Sequence, residues 1–160
     1  MSIQLYRVDE RLIHGQVVVG WGRRLHPRRY VVVDDTLAES EWEQELYMLA
    51  VQGDAEVRFL SVAEARTELG GLRDDEVPTI LLTRDLASMR GLGRAGGLRG
   101  EVVNIGGLHP SAGRRSVRGW LNFTPQDDRD LRALVESGAV VEGRDLPDAA
   151  PVGIEELLPA

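Results

Sequence analysis

An open α/β sheet, doubly wound and mainly parallel, of about seven strands with helices on both faces, is the fold this sequence predicts. Three observations point to it. Short β-branched runs alternate with helix-like stretches along the 160 residues, a β-α-β order that favours right-handed crossovers. Several runs are apolar at consecutive rather than alternate positions, as in strands covered on both faces. The segments between them carry residues that start helices.

The elements follow in order. A strand over 3–8 opens the chain; a polar stretch separates it from the first helix. A second strand covers 30–33. Thr36 with Glu39 fits a capping box opening a helix with Leu37, Trp42, Leu46 and Leu49 on one side. After a third strand at 57–60, Ser61 with Glu64 repeats the device, and Gly70 is the expected stop. Strands at 79–82 and 102–105 flank a helix-like segment at 85–90, and 120–123 is a weaker strand. Thr124, Pro125, Asp127 and Asp128 supply a cap, a fixed φ and acids at the positive end of the dipole. That helix runs through Leu131, Leu134 and Val135 to Gly138, and the last strand covers 139–141. The tail from Asp145 is Pro-rich and ends in an apolar turn, 154–158, expected to pack on the body. No linker or repeat divides the chain, so residues 1–160 are expected to form one domain.

Composition excludes several chemistries. A formal net charge of −7 argues against a nucleic-acid binder held by phosphate contacts. The absence of cysteine removes disulfides, thiolate nucleophiles and cysteine-ligated metals. All 19 cationic side chains are Arg, so no P-loop or Schiff-base lysine exists. Apolar runs are too short to span a bilayer, and the start, Met1-Ser2-Ile3-Gln4, has no export signal, so a cytoplasmic location is expected. Arg23, Arg24, Arg28 and Arg29 read as a solvated helix end, with docking of an acidic partner protein as the second reading.

The densest polar set is Arg7-Val8-Asp9-Glu10-Arg11-Leu12-Ile13-His14-Gly15-Gln16-Val17, between the first strand and the first helix. Ligands of open α/β sheets bind beyond the carboxyl ends of strands. A helix start there offers unpaired N–H groups to a phosphoryl group. A neutral imidazole is nucleophilic, an Arg can neutralise phosphate bidentately, and a carboxylate can orient either. Composition alone favours a plainer reading, a polar loop with surface ion pairs. Asn104-Ile105-Gly106-Gly107 ends another strand and is expected on the same sheet edge; its glycines either let N–H groups approach an anion or make a tight turn with positive φ. Asp34-Asp35 ends the second strand, where one carboxylate, Asp35 above all, could orient Arg11 or His14; a polar turn before a helix is the alternative. Gly91-Leu92-Gly93-Arg94-Ala95-Gly96 matches a dinucleotide fingerprint but lacks the strand-to-helix context. His14, His26 and His109 show no metal-ligand spacing, and His26 reads as a surface residue.

The eleven residues from Arg7 to Val17 resemble the signature of the IIB component of the mannose/fructose/sorbose family of the bacterial phosphotransferase system. The likeness extends to Val31-Val32-Val33-Asp34-Asp35, Ser61-Val62-Ala63-Glu64-Ala65, Asn104-Ile105-Gly106-Gly107-Leu108, residues 121–125 and Leu146-Pro147. It implies that His14 takes a phosphoryl group from the IIA phosphohistidine and passes it to a sugar held by membrane components IIC and IID. Localisation would then be cytoplasmic and peripheral to the membrane. On this reading Arg11 stabilises phosphoryl charge, Arg7 and Asp9 hold the loop in shape, and the helix start at Gly15 with Gly106-Gly107 cradles phosphate. No metal, nucleotide or other cofactor is implied, because the phosphate arrives activated. A homodimer is left open. A regulatory protein phosphorylated on His14, without transport, is the alternative. The chain departs from the family in lacking lysine and in having His109-Pro110 after the glycine turn.

Overall fold

The computed structural model describes residues 2–51 and 53–160. In it β1 (Ile3–Asp9) lies inside a six-stranded, all-parallel sheet of order β3-β2-β4-β1-β5-β8. The other strands of this sheet are β2 (Arg29–Val33), β3 (Glu56–Leu60), β4 (Thr79–Thr83), β5 (Val102–Gly107) and β8 (Val140–Gly143). Each forms where a strand was expected, with ends moved by one or two residues. The weaker expectation at 120–123 also holds, as β7 (Leu121–Phe123). It pairs antiparallel with β6 (Arg115–Arg118) in a separate ribbon, which a parallel bridge between Leu108 and Leu121 ties to the end of β5. The run Arg-Ser-Val-Arg of β6 is mostly solvent-facing and carries no apolar signal.

The strands sort their side chains with period two. On β1, Tyr6 and Val8 enter one apolar cluster, while Leu5 enters the other, which also holds Leu12, Ile13, Val17 and Trp21. Arg7 and Asp9 therefore share the face of Leu5. That face is covered by a π-helical turn, Gln16–Trp21, running into α1 (Gly22–Leu25). The opposite face is covered by α3 (Val62–Asp74), which follows α2 (Glu41–Met48), and then by α4 (Leu86–Gly93), α5 (Pro125–Glu136) and α6 (Ile154–Leu157). Leu157 is fully buried, so the terminal turn packs on the body as expected. Each such Leu contributes about 1.5–3 kcal/mol.

Capping boxes form at Ser61/Glu64 and at Thr124/Asp127, and Gly138, at φ +99°, follows α5. Two expectations fail. Gly70 does not stop α3, which continues to Asp74 because Leu69 and Leu72 are both buried. Thr36 caps nothing: Asp34 Oδ2 takes the Leu37 amide at 2.9 Å, a 3₁₀ turn fills Leu37–Glu39, and α2 starts only at Glu41. Trp42 and Leu46 of α2, and Leu49 just after it, are exposed, so they are not a core stripe. The glycine motif at 91–96 starts in the last turn of α4, where a helix presents carbonyls rather than N–H groups. Gly91 serves helix packing there: a Cβ on it would meet Val62 Cγ1 at 2.6 Å.

The connections decide where the site lies. From β1 the chain moves toward β2, and from β5 it moves the opposite way, toward β8. Their loops part over the carboxyl ends of β1 and β5, the switch point at which such sheets bind ligands.

Candidate active site

Asp9, the last residue of β1, is the hub of this crevice. Its Oδ1 accepts the Arg11 amide and Arg11 Nε, each at 3.0 Å. Its Oδ2 accepts Arg7 Nη2 at 3.2 Å and Arg11 Nη2 at 3.0 Å, and lies 3.0 Å from His14 Nε2. The Asp9 side chain is fully buried. Burial pushes its carboxyl pKa up, but hydrogen bonds from His14 and Arg11 and the charge of Arg7 outweigh that and hold it well below the usual carboxylate range. Asp9 is therefore an anion, and the imidazole nitrogen facing it carries a proton.

His14 Nδ1, the ring nitrogen turned away from Asp9, has no partner among the described residues. The loop that presents it is tight. Leu12 N–H donates to the Asp9 carbonyl at 3.0 Å, and Leu12 itself has φ +55°. That left-handed conformation costs an L-residue roughly 1–2 kcal/mol, offset by a side chain with no exposed surface. The His14 carbonyl accepts from the amides of Val17 and Val18, so Gly15 and Gln16 occupy the first turn, where helix N–H groups lack intrahelical partners.

Arg11 turns Nε and Nη2 toward Asp9, and Nη2 also donates to Gln16 Oε1 at 2.8 Å. Its Nη1 is unengaged among the described residues. Arg7, by contrast, has no exposed surface and cannot reach a ligand. Its Nη1 donates to Asn104 Oδ1 at 2.6 Å and the Arg144 carbonyl at 2.9 Å, its Nη2 to the Asp145 carbonyl at 3.1 Å, and it lies over the Trp21 ring at 5.5 Å. Burial lowers its pKa and Asp9 opposes the shift. Arg7 is a strut that fixes Asp9 from behind.

The glycine pair serves this strut rather than a turn. Neither Gly106 nor Gly107 has positive φ, which corrects that alternative. A Cβ on Gly106 would lie 1.9 Å from Arg7 Cζ, and one on Gly107 would lie 3.0 Å from Arg11 Nη2 and Asp9 Oδ1. Both glycines clear space for the Arg7–Asp9–Arg11 cluster. Asp35 does not join it. β4 separates β2 from β1, and Asp35 Oδ1 accepts the Val62 amide at 2.8 Å instead. The arginine run also divides: Arg29 is buried against Asp75 and Thr79, while Arg23 and Arg28 stay exposed. His26 is exposed at the end of α1, and the described residues contain no group of three or more potential metal ligands of the His, Cys, Asp or Glu type.

Four participants lack a sequence signal strong enough to assign them: Gln16, Trp21, Asn104 and Glu10. Gln16 and Glu10 lie inside the polar motif, but their partners do not show in its spacing. Asn104 and Trp21 reach Arg7 only through the tertiary fold.

Residues 3–160 match the family model described as "PTS system sorbose subfamily IIB component". The chain belongs to the sorbose-type IIB family of the phosphotransferase system. It is 28% identical to the fructose-specific EIIB component of Bacillus subtilis, over 99% of this chain and 96% of that one. Identity to the N-acetylgalactosamine-specific enzyme IIB component 1 of Escherichia coli is 30%, over 91% and 92%. The crystal structure of the E. coli N-acetylgalactosamine-specific IIB component 1 superposes with a TM-score of 0.86 at 29% identity, covering 95% of this chain and 99% of that one. IIB components transfer phosphoryl groups in sugar uptake, and this IIB chain presents an imidazole, a guanidinium and helix-start amides at one crevice suited to that chemistry. None of its described helices is long and apolar enough to cross a membrane.

Proposed function

We infer that His14 accepts a phosphoryl group on Nδ1 from the phosphohistidine of a IIA partner, then transfers it to a sugar held by membrane components IIC and IID. The observation that carries this reading is the 3.0 Å contact between His14 Nε2 and the buried Asp9 carboxylate. A neutral imidazole donating from Nε2 keeps its nucleophilic lone pair on Nδ1. When Nδ1 attacks phosphorus, positive charge develops on the ring, and Asp9 stabilises it without taking the proton. When the phosphoryl group leaves, the bonding pair returns to Nδ1 and the ring is neutral again. Arg11 offers Nη1 to the phosphoryl oxygens while its other nitrogens stay fixed on Asp9 and Gln16. The unpaired amides of the first turn add N–H donors. Association with the membrane is then peripheral, through IIC and IID.

The test is phosphorylation by phospho-IIA, followed by mapping under alkaline conditions, where phosphohistidine survives. The expected product is label on His14 Nδ1 alone, absent from His14→Ala. Label on His26 or His109, or on His14 Nε2, would overturn the reading.

A further inference from the structure

Asp9, which ends β1, and Glu10, which follows it, each hold an imidazole. Asp9 faces His14. Glu10 Oε2 lies 2.9 Å from His109 Nδ1 and accepts the His109 amide at 3.2 Å. Its other oxygen, Oε1, faces Arg114 Nη1 at 2.5 Å, and that guanidinium in turn donates to the His109 carbonyl at 2.7 Å. The two pairs are adjacent. Asp9 is in register with Gly107, the Glu10 amide donates to the Gly107 carbonyl at 3.0 Å, and His109 follows two residues later. The pairs are also reversed. His14 is held by Nε2 and frees Nδ1, whereas His109 is held by Nδ1 and frees Nε2 on a half-exposed side chain.

We propose that His109, oriented by Glu10, is the general base for the acceptor hydroxyl in the sugar-transferring step; this rests on the function inferred for His14. Transfer from IIA moves phosphorus between two nitrogens and needs no base. Transfer to sugar makes an O–P bond and must shed the hydroxyl proton. His14 cannot take it. Its Nε2 is protonated toward Asp9, and in an in-line displacement its Nδ1 lies on the far side of phosphorus from the attacking oxygen. Asp9 accepts from three side chains and is a poor base. Arg7 and Arg11 stay charged. Glu10 is engaged at both oxygens, by His109 and Arg114. Asp34 and Asp35, after β2, and Asp85, at the start of α4, each accept a backbone amide. His109 differs from these groups in being an imidazole whose Nδ1 is fixed by a carboxylate while Nε2 has no partner among the described residues, the arrangement of a general base. The step balances. The hydroxyl oxygen bonds to phosphorus, the P–Nδ1 pair returns to His14, and the proton moves to His109 Nε2. The resulting imidazolium faces the Glu10 carboxylate until it releases the proton to water.

The experiment phosphorylates the chain with radiolabelled phospho-IIA. It then follows transfer to mannose, fructose, sorbose and N-acetylgalactosamine with membrane vesicles containing IIC and IID. For His109→Gln, labelling of His14 is expected within about threefold of wild type. Sugar transfer should fall about a hundredfold, the scale of a lost general base. Its pH–rate profile should also differ from that of wild type, because the group that accepts the proton is gone. Glu10→Gln should alter that profile less than His109→Gln does. In His109→Gly, added imidazole should restore sugar transfer, a rescue that a structural role would not give. Equal losses in both steps, an unchanged pH profile, or no rescue would overturn the proposal. Failure of wild-type His14 to take label would instead overturn the underlying function, and the base role with it.

Discussion

A methyl group on Gly15 would touch nothing: no atom lies within 4 Å of an ideal Cβ, and its φ of −52° suits any residue. Neither packing nor backbone requires glycine there, so the position is open for whatever approaches His14. Gly15→Ala should leave stability unchanged or raise it by up to about 1 kcal/mol, because alanine favours helix, yet slow phosphorylation by IIA at least tenfold. Denaturant titration with a single-turnover assay checks both. Gly106 is the opposite case. Its Cβ would overlap the Arg7 guanidinium, so Gly106→Ala should cost about 3 kcal/mol or more by displacing a buried, paired charge. The two glycines look alike in the sequence, and only the Arg7 guanidinium packed against Gly106 tells them apart. Arg11 was legible from its place three residues before His14, and its contacts refine the role. Arg11→Gln should slow the IIA step but reduce sugar transfer more severely, because a neutral sugar brings no cation of its own. Equal losses in single-turnover assays of the two steps would reduce Arg11 to a loop-stabilising partner of Asp9.

Strands announced themselves because burial on both faces leaves continuous apolar runs, and the starts of α3 and α5 did so through the spacing of Ser61 and Glu64 and through Thr124 followed by Pro125 and two acids. Local chemistry was silent elsewhere. β6 is mostly polar and exists because β7 needs an antiparallel neighbour. The π-helical turn after His14 has no composition of its own. Thr36 misled because Asp34, two residues earlier, takes the Leu37 amide. This difference is measurable at the scale of the element. Thr124→Ala removes a bond to the Asp127 amide and should cost about 1 kcal/mol, a few degrees in Tm. Thr36→Ala, lacking any side-chain cap bond, should change Tm by less than half as much. Equal shifts in thermal unfolding would show that the cap geometry does not decide helix stability here.

Across the whole molecule, what the sequence could not display is convergence. Arg7 bonds to residues 97, 137 and 138 positions away, and those contacts exist only because β1 and β5 meet at the switch point and the segment after β8 returns over them. The cluster makes one of 26 acidic side chains central to acid stability. Asp9 in the folded chain is held well below its ordinary value. Burial opposes that shift, and the bonds from His14 and Arg11 with the charge of Arg7 drive it. In the unfolded chain its pKa returns to about 3.9. Above that value both states are ionised and the stabilisation is present in full. As pH falls below it, the unfolded state binds a proton that the folded state refuses, and stability declines by up to about 1.4 kcal/mol per pH unit from this group. Glu64 and Asp75 are lowered too, by hydrogen bonds from Ser61 and from Arg29 respectively, but both face solvent, where such pairs are screened. Urea unfolding of wild type should therefore weaken steeply between about pH 4 and pH 2. Asp9→Asn should be less stable at neutral pH, because Arg7 keeps its burial and loses its counter-charge. Its stability should also fall less steeply with acid than that of wild type, while Glu64→Gln and Asp75→Asn keep most of the wild-type slope. An Asp9→Asn chain with the full wild-type slope would move the acid sensitivity to other carboxylates and remove Asp9 from the centre of the folded network.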